Sequence, residues 1–273
     1  MTNPLRVATA AVVGVVVVAG ALYAISPGSP FGGPSSTPTP VPSAATPSLT
    51  PTQLPTSQPI PSLDPSASPK AVSPDTPMAA GRYYEVPFGP GGMDLCFGQA
   101  GCTEDPKDEA MRFTFTVPSG WVGGSVHVLY ASEGKAPPAG AGLVISRGGG
   151  LYAEPCGDEP PPNILVGPTV DDFVSALVAH PKLDVTAPVD VSLAGYTGKY
   201  LDLQVPADIT ACSVSYFPWE PGIFAQGPGS RWHLWVLDVD GIRVVIQSTD
   251  YEGTSAARRA ELLAIVESIE IEP

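Results

Sequence analysis

Residues 232–249 read WHLWVLDVDGIRVVIQST. At their centre Asp240-Gly241 is a two-residue hairpin signal, because a type I′ turn needs positive φ at both central positions. That turn sets a register: Val239 opposite Ile242, Asp238 opposite Arg243, Leu237 opposite Val244 and Trp235 opposite Ile246. Alternate residues share a face. One face therefore carries Leu237, Trp235, Val244 and Ile246. The other carries an Asp238–Arg243 pair at the turn end and then Trp232, Leu234 and Val245. A hairpin apolar on most of both faces belongs in the middle of a layered sheet.

Working outward, the chain supplies more strands and two helices. Met111–Val117 alternates and stops at Pro118-Ser119-Gly120, and residues 125–130 and 142–146 are further strand candidates. Residues 189–193 and 199–205 flank a Gly195–Gly198 turn. Thr169 reads as a helix N-cap, with Asp171 and Asp172 in the first turn where the helix dipole favours anions. Val170, Phe173, Val174 and Leu177 form that helix's inner stripe, and His180-Pro181 ends it. A second helix starts near Ser255, buries Leu262, Leu263, Ile265, Val266 and Ile269, and leads into a short terminal strand. The fold class expected from this pattern is α+β, an antiparallel sheet packed with helices.

The N-terminal part is of another kind. Val7–Ile25 carries no charge and follows Arg6, and crossing a bilayer core takes roughly 20 apolar residues. Residues 1–25 read as a transmembrane anchor, with Ala19-Gly20-Ala21 offering the alternative of a cleaved signal peptide. Arg6 inside and no basic residue before Lys70 agree with the positive-inside rule. Residues 26–80 are rich in Pro, Ser and Thr and read as a disordered linker, because so little apolar surface cannot offset the entropy of ordering. Residues 81–273 are left as one extracytoplasmic domain. The expected location is the cell membrane, single-pass through residues 7–25 with the domain outside, or alternatively secretion.

The formal net charge of −14 argues against nucleic acid as a partner. Four cysteines in an exported chain point to disulfides, with three pairings open. Cys96 and Cys102 are close in sequence and would close a glycine-rich loop, leaving Cys156 with Cys212. The five residues between Cys96 and Cys102 do not suit the tight pairs of a zinc site, so no metal and no cofactor is expected. The acidic run Glu104, Asp105, Asp108 and Glu109 reads as a solvated face.

Few residues offer catalysis. His127, His180 and His233 each read as structural or surface side chains, with His180 at a helix C-terminus where a partly charged imidazole is favourable. No serine sits in a G-x-S-x-G turn. Asp238-Val239-Asp240-Gly241 opens like a calcium loop but lacks the later ligands, and Gly195–Lys199 lacks the spacing of a phosphate loop. The stretch Tyr216–Phe224 combines four aromatics with two prolines. Aromatics bury much area at little entropic cost, so Tyr216, Phe217, Trp219 and Phe224 are the candidate binding residues.

Two long stretches carry a resemblance: GPTVDDFVSALVAHPKLDVTAPVDVSLAGYTGKYLDLQVPADITAC from Gly167, and GPGSRWHLWVLDVDGIRVVIQSTDYEGTSAARRAELLAIVESI from Gly227. They resemble a group of uncharacterised extracytoplasmic proteins of actinobacteria and related bacteria. More distantly they are similar to PsbP-like α/β/α sandwiches, including small mycobacterial lipoproteins. The resemblance implies the sandwich and supports the Cys156–Cys212 bridge, and it brings no catalytic residues. The functional expectation is a non-catalytic, membrane-tethered module that binds an envelope protein, a glycan or a small apolar ligand. The alternatives are a cell-envelope hydrolase using acidic residues, with Asp171, Asp172, Asp238 and Asp240 as the best pairs, and a passive wall component.

Overall fold

The computed structural model describes residue 54 and residues 67–73, 75–88, 110–124, 128–132, 140–157, 163–212, 215–220 and 224–273. The expected membrane segment, Cys96, Cys102, the acidic run at 104–109 and His127 lie outside the described residues. No helix among the described residues is long and apolar enough to cross a membrane.

Along the chain come β1 (Lys70–Ala71), β2 (Thr76–Met78), β3 (Gly81–Glu85), β4 (Arg112–Val117), β5 (Trp121–Gly123), β6 (Val128–Ser132) and β7 (Gly140–Ser146). Helix α1 (Val170–Ala179) is followed by β8 (Asp184–Val185), β9 (Val189–Leu193), β10 (Tyr196–Gln204), β11 (Arg231–Val239) and β12 (Ile242–Asp250). Helix α2 (Ala256–Glu267) and β13 (Glu270–Glu272) end the chain.

The hairpin is β11 and β12, in the register its turn dictates, from Val239 opposite Ile242 to Arg231 opposite Asp250. Asp240 and Gly241 have φ of 53° and 88°, the left-handed pair the turn requires. The hairpin sits inside a nine-stranded sheet of order β2-β5-β6-β7-β12-β11-β10-β8, with β9 also paired to β10. Both faces are covered. Trp235, Leu237, Val244 and Ile246 join one apolar cluster with Phe113, Phe115, Leu262 and Val266. Trp232, Leu234, Val236 and Val245 join another with Phe173, Leu177 and Trp219. The two-sided apolar pattern is thus spent on two cores.

The expected fold class is corrected here. The described residues form thirteen strands against two helices; they are mostly β and not a sheet sandwiched by helices. The covering layer on one face is a second sheet, of order β1-β3-β4-β13, beside α2. Its strands come from distant parts of the chain: β4 pairs with β3 from Gly81 opposite Val117, and with β13 from Glu270 opposite Thr114. Phe113, Phe115 and Val117 alternate inward from β4, so burial that a helix could supply comes from a strand.

Residues 70–78 supply an edge strand to each sheet. β1 runs parallel to β3, and β2 runs antiparallel to β5 with Pro77 opposite Val122. Proline is tolerated there because an edge strand needs only half its ladder bonds. A side chain on Gly123 would meet the Ser73 carbonyl at 2.6 Å, so the crossing is tight enough to require glycine. On β3, Glu85 lies two residues beyond the core residue Tyr83, and burial pushes its carboxyl up to about 7.

Helix α1 begins as its sequence dictates. The Thr169 hydroxyl accepts from the Asp172 backbone N–H, and the Asp172 carboxylate accepts from the Thr169 N–H, a reciprocal capping box. Cys156 and Cys212 form a disulfide across a sequence separation of 56. A loop of that size is worth about 4 kcal/mol in the chain-entropy account.

Candidate functional site

The register of β8, β10, β11 and β12 writes rows of side chains across one face of the large sheet. Asp184, Gln204, Arg231 and Asp250 make the first row. Asp202, His233 and Ser248 make the second, and Tyr200, Trp235 and Ile246 the third. The face thus grades from polar to apolar along the strands, over about 13 Å from Arg231 to Trp235 at strand rise. Helix α2 borders it with Ala256, Arg259, Ala260 and Leu263, positions spaced three or four apart on one helical stripe. Between sheet and helix is a cleft of about 1110 Å³.

The floor of the cleft is a charged bridge. His233 Nδ1 donates to Asp202 Oδ1 at 2.7 Å, and its Nε2 donates to Asp250 Oδ2 at 3.0 Å. Arg259 Nε donates to the other oxygen of Asp250 at 2.8 Å, tying α2 to the sheet. The Tyr200 hydroxyl donates to Asp202 Oδ1 at 2.7 Å, and its ring stacks on the imidazole. Burial alone would pull the His233 pKa down, but the hydrogen bonds and charges of Asp202 and Asp250 outweigh it and raise it to about 9. His233 is therefore an imidazolium at neutral pH. Burial would raise both aspartates, yet His233, with Tyr200 for Asp202 and Arg259 for Asp250, holds them below the usual carboxylate range. Burial and the Asp202 bond push the Tyr200 phenol up, so it stays a donor.

The aromatic candidates lie elsewhere, on the α1 side. Trp219 is fully buried and meets Phe173 and Trp232 edge to face at 5.6 and 5.3 Å. Tyr216 and Phe217 are buried too, and Phe224, 44% exposed, presents a surface with its ring 5.5 Å from Phe217. The backbone explains this placement: Phe217 N–H donates to the Pro155 carbonyl and Tyr152 N–H to the Pro218 carbonyl, laying the stretch on the core.

Two of the acidic candidates have structural tasks. Asp172 is held by the capping box, and the Asp238 carboxylate accepts from Gly241 N–H at 2.7 Å to close the turn. Asp171 and Asp238 line a groove of about 560 Å³ with the Lys199–Asp190 ion pair. Asp238 stands opposite Arg243 in register, but the buried guanidinium reaches instead to the carbonyls of Arg147, Gly148, Gly167 and Thr169. His180 Nε2 lies 2.9 Å from the Tyr152 carbonyl, and Nδ1 accepts from Lys182 N–H, a neutral tautomer whose pKa burial lowers. Burial thus works against the partial charge expected at that helix end. Among the described residues no cluster of three or more His, Cys, Asp or Glu could hold a metal ion.

No family model matches this chain, and no curated protein matches it. Among solved structures it is similar to LpqN, described as involved in cell envelope biogenesis of Mycobacterium tuberculosis. The identity is 13%, the match covers 72% of this chain and 90% of that one, and the TM-score is 0.30.

Proposed function

We propose that the chain is an extracytoplasmic binding module, held at a membrane by residues 7–25 and carried on the Pro/Ser/Thr-rich segment, and that its ligand occupies the cleft beside α2. The observation that carries this is the closed bridge on the cleft floor. A general base needs a free nitrogen or oxygen within hydrogen-bond reach of the proton it takes. Both ring nitrogens of His233 are engaged by carboxylates, and both oxygens of Asp250 are engaged by His233 and Arg259. Such a network fixes shape and polarity and leaves His233 and Asp250 without an unengaged nitrogen or oxygen, which supports binding over hydrolysis. The Cys156–Cys212 disulfide supports the oxidising side of the membrane.

Native mass spectrometry of the full-length chain, purified from the envelope of its own cell, tests the reading. The wild type is expected to retain a small-molecule adduct. Ala260→Trp, at a half-buried position on the helix wall, should reduce its occupancy at least 10-fold, whereas Phe224→Ala should keep it. Equal retention by Ala260→Trp, or a wild type without any adduct, would contradict the cleft as a binding site.

A further inference from the structure

Arg231 stands apart from the other arginines. Arg82 pairs with Glu270, Arg112 with Glu272, Arg258 with Glu261 and Arg259 with Asp250. Arg243 donates to four carbonyls, and Arg147 is engaged as well. Among the described residues Arg231 is the arginine without a hydrogen-bond or ion-pair partner. It is exposed, and it lies at the polar end of the cleft. Its cross-strand neighbour is Asp250, whose two oxygens already belong to His233 and Arg259. Asp184 lies in the same row but two strands away, about 10 Å at sheet spacing. Lys182, also at this end, is held by Glu154. In a chain of net charge −14, a guanidinium left open at the mouth of this cleft marks a place for an anion.

The other end is apolar. Trp235, Leu262 and Leu263 line it, all buried, with Ala260 of α2 one turn before Leu263. A ligand lying along β11 meets a planar cation first, a rigid neutral network next, and hydrocarbon last.

We infer that the cleft takes an amphiphilic anion, a carboxylate or phosphate group gripped by Arg231 with an apolar body laid toward Trp235, Leu262 and Leu263. The guanidinium presents paired N–H donors that match either group in a bidentate fork. The inference rests on the cleft being the binding site, and it adds the chemical class of the occupant.

Ligand-observed NMR with the full-length chain in zwitterionic nanodiscs tests it, with empty nanodiscs as blank. The probes are hexanoate, hexyl phosphate, 1-hexanol and acetate. At least one six-carbon anion should bind at least 10-fold more tightly than hexanol and than acetate, and which anion binds separates carboxylate from phosphate as the head. Arg231→Gln should remove that 10-fold advantage and leave hexanol unchanged, while Lys70→Gln, which drops the same charge on β1, should leave every probe unchanged. Hexanol binding as well as both anions, no probe binding, or an Arg231→Gln profile equal to that of Lys70→Gln would overturn the inference. If Ala260→Trp sheds the native adduct and Arg231→Gln changes nothing, the cleft stands and its anionic occupant falls.

Discussion

His233→Ala is expected to cost about 3–5 kcal/mol of stability at neutral pH, the usual penalty for removing one partner of a buried ionic group. The loss is large because of what stays behind. Asp202 and Asp250 would face each other across the vacated imidazole, with Arg259 able to answer only one of them. Adding Asp202→Asn removes one of the stranded charges, so the double variant should be more stable than the sum of the single changes predicts. The pH profile follows from the direction of each shift. The His233 pKa rises from 6.5 to about 9, so its contribution is complete below pH 6.5 and is lost as pH climbs through about 9. The aspartates are held below 3.8, so theirs is complete above that value and is lost as pH falls through the lowered pKa. The cost of His233→Ala should therefore be greatest between about pH 4 and 6.5 and shrink toward both extremes. Urea unfolding at pH 3, 6 and 10 measures it, and a cost independent of pH would contradict the bridge.

Arg243→Met should be as damaging, at about 3–5 kcal/mol, for a different reason. The guanidinium binds the ends of two elements: the Arg147 and Gly148 carbonyls just after β7, and the Gly167 and Thr169 carbonyls at the start of α1. It also lies 5.0 Å from the centre of the Phe173 ring. Burial lowers its pKa to about 10, which leaves it charged at pH 7. Methionine fills similar space but takes the guanidinium donors from four carbonyls, of which Thr169 keeps only the Phe173 N–H. Arg243→Lys should recover little, because three donors on one nitrogen cannot span carbonyls that a planar fork reaches. Hydrogen exchange should show the loss first in the amides of α1. Unchanged α1 protection in Arg243→Met would remove this account of the residue.

What the sequence made legible was local. A type I′ turn fixes its own register, so every pairing from Val239–Ile242 down to Trp235–Ile246 follows from Asp240-Gly241. The α1 capping box is equally local, with Thr169 and Asp172 three residues apart. The second sheet was hidden because its pairings are long-range. Glu270 meets Thr114 and Gly81 meets Val117 across spans in which no turn signal fixes partners. The helices expected to cover both faces were therefore too few, and a sheet took one of those places.

The same limit concealed the bridge. The hairpin register alone puts His233 beside Ser248 and one row from Asp250, a signal strong enough to bring two of its members together. Asp202 arrives only through the pairing of β10 with β11, and Arg259 only through the packing of α2. The aromatic stretch is the converse case. Its composition suits an interface and a core equally well, and the backbone bonds to Pro155 and Tyr152 turn three of the four rings inward.

His233 is a charged, doubly bonded link in the cleft floor and not a base waiting for a substrate. Nitrogen-15 NMR of the imidazole across a pH titration addresses it directly. The expected result is protons on both ring nitrogens at pH 7 and a midpoint well above the ordinary 6.5, near 9. A midpoint at or below 6.5, with one bare nitrogen at neutral pH, would contradict it and return the cleft to the candidates for catalysis.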